Sequence, residues 1–184
     1  MTMKLLAQLP YRLMMGHLFT LLLCQNAMSQ TAQQPEAVQR MLRFAGHWET
    51  NEAKITMGDR HFTMPYSADF TAVNDGTGLL MQETATVPGV GQLKGMNLLG
   101  WDPNLEQVHL YSIDNLGTCH DHSGYWTSGN ELFLEYQGIQ EGKIYMEQIR
   151  ITLVDNDHLR LRLVSQLNGG TNELIDGTFV RKAG

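Results

Sequence analysis

The chain has 184 residues, with 13 Lys and Arg against 19 Asp and Glu, giving a formal net charge of −6. That length corresponds to one domain and is enough to bury a core without covalent staples. An acidic chain with no basic run is excluded as a binder of phosphate backbones or of anionic lipid, so no nucleic-acid partner is expected.

The N-terminus reads as an export leader. Lys4 and Arg12 supply a basic region, and 13–23 is apolar apart from Gly16, His17 and Thr20. Asn26-Ala27-Met28-Ser29 then offers small residues at the two positions a signal peptidase reads. The expected organisation is a signal peptide over 1–29, a tether over 30–34 and a barrel domain over 35–184. The product would be periplasmic or secreted. The apolar run falls short of the roughly 20 residues that span a bilayer, so no membrane span survives cleavage. A retained anchor and a lipid-modified Cys24 are the alternatives. Loss of Lys4 and Arg12 makes the mature chain more acidic still, and loss of Cys24 leaves Cys119 without an intramolecular disulfide partner.

Beyond the tether, Pro35 suits the first position of a helix and Glu36 its first turn. Val38, Met41, Leu42 and Ala45 recur at helical spacing, which predicts a short amphipathic helix ending at Gly46. From there the apolar period changes to two. Strands are predicted at 48–56, 66–73, 78–86, 93–101, 105–113, 118–127, 131–137, 143–154, 158–167 and 173–181. Asn74-Asp75-Gly76, Pro88-Gly89, Asp102-Pro103-Asn104, Asp114-Asn115-Leu116-Gly117, Ser128-Gly129, Asp155-Asn156-Asp157 and Asn168-Gly169-Gly170 supply turns between them. Residues 57–65 read as a longer loop. About ten short strands joined by short turns predict an all-β, closed, antiparallel up-and-down barrel behind a short N-terminal helix. A two-sheet sandwich is the rival, but it needs longer crossings than these turns allow.

Gly46-His47-Trp48 opening the first strand and Phe179-Val180-Arg181-Lys182 closing the last resemble the calycin superfamily, which includes lipocalins and fatty-acid-binding proteins. That resemblance implies that Trp48 and Arg181 close the barrel floor, the guanidinium stacked on the indole. A closer resemblance, to a family of exported bacterial lipocalin-like domains of unknown function, runs over nearly all of the mature chain. It is carried by Phe44-Ala45-Gly46-His47-Trp48, Gly100-Trp101-Asp102-Pro103, Ser112-Ile113-Asp114-Asn115-Leu116-Gly117-Thr118, Gly124 and the terminal Phe179-Val180-Arg181-Lys182. It implies a fold and a compartment and brings no activity with it.

His109, His120 and His122 fall within one predicted meander. His120 and His122, two apart on a strand, share a face. A two-residue turn at Asn115-Leu116 sets His109 opposite His122, and one at Ser128-Gly129 sets Glu135 opposite His122. Those four side chains would then offer nitrogen and oxygen ligands for zinc, iron or haem. A three-residue turn ending at Gly117 sends His109 to the other face. Inward faces follow from alternation. Leu159, Leu161 and Leu163 alternate with Arg160 and Arg162; Ile149, Ile151 and Leu153 alternate with Arg150 and Thr152, which carries Tyr145 and Glu147 inward as well. Burying Leu132, Leu134 and Tyr136 turns Glu135 outward.

No nucleophile elbow, phosphate-binding loop, Cys-x-x-Cys pair or helical zinc motif occurs, so no catalytic set emerges. Three functions remain. The first is an exported binder of an apolar or amphipathic small molecule, with no cofactor. Its walls would be Met81, Met96, Leu98, Ile149, Ile151, Leu161 and Leu163, and its polar contacts Tyr111, His120 and His122. The second is a metal or haem barrel using the histidines. The third is a filled barrel serving as an interaction module with an apolar outer patch.

Overall fold

A computed structural model describes residues 34–183; the expected leader, its Cys24 and nearly all of the tether lie outside the described residues. One helix, α1 (Glu36–Leu42), precedes ten strands: β1 (Gly46–Met57), β2 (Arg60–Val73), β3 (Gly78–Val87), β4 (Gly91–Asp102), β5 (Gln107–Asp114), β6 (Cys119–Trp126), β7 (Glu131–Gln140), β8 (Lys143–Leu153), β9 (His158–Leu167) and β10 (Gly170–Lys182). Each strand pairs antiparallel with its sequence neighbours, and β1 pairs with β10 to close the barrel. Closure leaves no strand edge to be satisfied by another chain. Among the described residues no helix is long and apolar enough to cross a membrane.

The segment 57–65, expected as a loop, is instead a tight hairpin. Met57 pairs with Arg60, and Gly58 takes φ +57° in the turn, so β1 and β2 run on past their expected ends. Polar, exposed residues on both arms hide this pairing from a hydrophobicity pattern. Pro65 sits inside β2, where a residue without an N–H ought to interrupt the ladder. The β1–β2 register shifts between Thr50 and Ala53, opposite this proline, and the bulge absorbs the missing donor.

The end of the barrel next to α1 is an apolar floor. Trp48, Phe44, Met41 and Phe179 are essentially inaccessible there. The Trp48 indole N–H donates to the Phe44 carbonyl at 2.8 Å, and Phe44 stacks on Trp126 with ring centres 5.6 Å apart. The Arg181 guanidinium lies 4.1 Å over the Trp48 ring. It also donates to the carbonyls of Ala45, Arg43 (3.1 Å) and Asn156 (2.7 Å), so one side chain satisfies backbone acceptors just after α1 and in the β8–β9 turn. Gly46 fits this arrangement for two reasons: its φ is +136°, and a Cβ there would collide with the same guanidinium.

Candidate functional site

The two central hairpins decide which histidines meet. In β5–β6, Ile113 pairs with Cys119 and His109 with Ser123. The connection is therefore the three-residue turn, with Gly117 at φ +99° and the Asp114 carboxylate accepting from the Leu116 and Thr118 amides. In β6–β7, Ser123 pairs with Glu135, which makes that turn three residues long as well. Two expected ligands are corrected by this register. His109 faces outward, 3.2 Å from Asp121, and Glu135 faces outward too. A one-residue change in turn length reverses the face of everything upstream, and turn composition alone left both lengths open.

His120 and His122 do point inward, and the carboxylate they meet is Glu147 of β8. His122 is 1 % exposed; its Nε2 lies 2.9 Å from Glu147 Oε1, and its Nδ1 lies 3.3 Å from the Leu110 carbonyl oxygen. His120 Nδ1 is buried without a hydrogen-bond partner, 3.6 Å from Glu147 Oε2. The His120 ring stacks on Tyr136, centroids 4.0 Å apart and nearly parallel. The Tyr145 hydroxyl donates to Glu147 Oε2 at 2.6 Å. Burial alone would raise the Glu147 pKa, but the two imidazoles and the Tyr145 hydroxyl outweigh it and hold the carboxyl at about 2. Tyr145 is pushed the other way, by burial first and then by the neighbouring carboxylate. The ligand atoms of His120, His122 and Glu147 lie within 4.8 Å of one another.

Pairing extends this cluster into a belt. Tyr136 is opposite Glu147, Glu147 opposite Ser165, and Ser165 opposite Glu173, across β7, β8, β9 and β10. Ser165 is fully buried and its hydroxyl has no partner. A second polar group faces in from β2, β3 and β4: the Tyr66 hydroxyl donates to Glu83, and Asn97 Nδ2 donates to Glu83 Oε1 at 3.0 Å. Burial raises the Glu83 pKa despite these two donors. Gly95, paired with Glu83, leaves the room that the carboxylate occupies. These polar side chains lie in the half of the barrel farther from α1, while the half nearer α1 is apolar.

Between the two groups lies a cavity of about 50 Å³, lined on its apolar side by Met81, Leu110, Ile149, Ile151, Leu161 and Leu163, and elsewhere by Glu83, Asn97, Ser112 and Glu147. Met96 and Leu98, expected on its wall, and Tyr111, expected as a polar contact, are corrected: each is about half exposed and faces outward. Leu98 pairs with Tyr111 and Met96 with Ile113, so these residues form a contiguous apolar patch on the outside of β4 and β5. Glu83, Asn97, Glu147 and Ser165 were missed as site residues. The available signal was a polar residue at inward parity, two places from Met81 (Glu83), from Leu99 (Asn97), from Ile149 (Glu147) and from Leu163 (Ser165). A larger depression of about 230 Å³ on the outer wall, beside the β1 bulge at Asn51, is shallow and lined mainly by polar, solvated residues.

Residues 34–181 match the family described as "Protein of unknown function (DUF1579)". The chain belongs to that family. The matched span begins just before α1 and ends on Arg181, so the DUF1579 unit coincides with the barrel and its floor. No curated protein matches the chain.

Proposed function

We propose that this DUF1579 barrel is an exported binding protein that takes a small amphipathic molecule into its interior through the end opposite α1. The observation that carries the reading is the lining of the interior: an aliphatic wall faces Glu83, Asn97, Ser112 and Glu147 across one cavity. A barrel that only had to be stable would be filled with hydrocarbon there, because buried carboxyl groups cost free energy that packing does not return. Few, convergent polar groups on an apolar wall are how small-molecule sites fix orientation. About 50 Å³ is room for a few waters, well below the roughly 300 Å³ at which drug-sized sites begin. The ligand is therefore a compact one, or it enters by displacing the His120 and Tyr136 rings.

The test is uptake of a fluorescent hydrophobic probe, with native mass spectrometry of whatever copurifies. Leu161→Trp, which fills the cavity, is expected to lower probe affinity at least tenfold, and Leu98→Trp on the outer wall to leave it unchanged. Equal behaviour of the two variants, or a parent protein that neither takes up the probe nor copurifies with a small molecule, would remove the reading. Mass measurement of the mature protein tests the export step, with Gln30 expected as the first residue.

The outer patch of Met96, Leu98, Tyr111 and Ile113 favours a second reading, an interaction module. Single exposed apolar residues are ordinary, but two adjacent cross-strand pairs of them are the pattern of a contact surface. Leu98→Lys would then abolish an association seen by light scattering without touching probe uptake.

A further inference from the structure

We propose that His120, His122 and Glu147 bind a divalent first-row transition-metal ion, with zinc the natural probe. This goes beyond the organic ligand above: the cluster shares Glu147 with the cavity, but its three donors are complete without any occupant there.

The argument starts at His122. Its Nδ1 lies 3.3 Å from the Leu110 carbonyl oxygen, which can only accept, so Nδ1 carries the proton. Nε2 then turns a lone pair toward Glu147 Oε1, another acceptor, at 2.9 Å. Two lone pairs at that distance in a buried site need a cation between them. A second proton on His122 is one such cation, and a metal ion is the other. His120 decides between them. Its buried Nδ1 has no hydrogen-bond partner and is 3.6 Å from the same carboxylate, and a proton on His122 does nothing for it. A metal ion engages all three groups at once.

The spacing suits one ion. Ligands at roughly 2.0–2.2 Å from a tetrahedral zinc are roughly 3.3–3.5 Å from each other, and the two separations quoted bracket that range. All three ligand atoms lie within 4.8 Å of one another. The surrounding groups have the expected supporting roles. The Leu110 carbonyl fixes the His122 tautomer, the Tyr145 hydroxyl orients the carboxylate, and Tyr136 holds the His120 plane. Two imidazoles and one carboxylate leave at least one coordination position free, as sites that bind an exogenous oxygen ligand do. Ser165, fully buried with an unpartnered hydroxyl and paired with Glu147, could anchor a water at that position.

The experiment is calorimetric titration of zinc into the full-length, chelator-stripped protein, with cobalt absorption as a report of coordination by nitrogen and oxygen. One zinc per chain is expected. His120→Ala and Glu147→Gln should each weaken binding at least about 100-fold, and His109→Ala, on the outer face, should leave it unaltered. His122 is 1 % exposed and its removal empties the packed interior, so His120, whose side chain is 17 % exposed, is the informative site; circular dichroism verifies that each variant is folded. No stoichiometric zinc in the folded parent overturns the proposal, as does unchanged affinity in folded His120→Ala and Glu147→Gln. Probe uptake measured on the chelator-stripped protein reports on the organic ligand alone, so the two readings can fail separately.

Discussion

At the scale of single residues the interior is governed by two carboxylates with opposite fates. Glu147 is surrounded by groups that favour its charge, whereas Glu83 has two donors and is still dominated by burial. A carboxyl whose folded pKa lies above its unfolded value contributes stability that is complete below the unfolded value and is lost as pH rises through the folded one. Ionising Glu83 accordingly costs the folded state stability. Glu83→Gln is expected to raise the melting temperature at pH 7, with the gain shrinking toward zero as pH falls to the ordinary carboxyl value of 4.5. Thermal scans from pH 4 to pH 8 check this; a gain that does not vary with pH would show that packing, and not ionisation, separates the two proteins.

At the scale of elements, the β7 backbone comes up against the Cα of Gly124 in β6. Gly124 faces inward opposite Leu134, and a Cβ there would overlap the Phe133 carbonyl oxygen and the Leu134 backbone. Backbone cannot step aside as a side-chain end can, so Gly124→Ala should cost about 3 kcal/mol or more by urea denaturation. Gly129→Ala, in the neighbouring turn with open space around it, should be within about 0.5 kcal/mol of the parent. Alternation made most inward faces legible from the sequence, including that of Glu147. It did not reveal the meeting of Glu147 with His122, because β6 and β8 are not paired. Only curvature of the sheet around β7 brings their side chains together. The turn length that excludes His109 was equally hidden, since Asp-Asn-Leu-Gly is compatible with both registers, whereas the outward face of Glu135 was legible in the alternation of Leu132, Leu134 and Tyr136.

At the scale of the whole molecule, closure depends on a floor that ties both ends of the domain together. Arg181 on β10 caps the Trp48 ring on β1 and holds the carbonyls of Arg43, Ala45 and Asn156. Arg181→Met keeps an apolar stem but leaves these acceptors without their charged donor. It should cost on the order of 3 kcal/mol and loosen α1 first, which hydrogen exchange of the residues flanking it can follow. Arg181→Lys keeps the cation but loses the three-way donor geometry, and is expected to recover less than half of that loss.

The sequence by itself determined the ten-strand barrel and the helix before it, because period-two alternation, turn chemistry and short connections are local properties that add up to one architecture. The tertiary structure alone decided which of the inward side chains meet. The register that turns Met96, Leu98, Tyr111 and His109 outward depends on a single residue more or less in a turn, and the 57–65 hairpin is hidden by its polar arms. The His120–His122–Glu147 cluster depends on the curvature of a closed sheet, and neither quantity is written in a local run of residues.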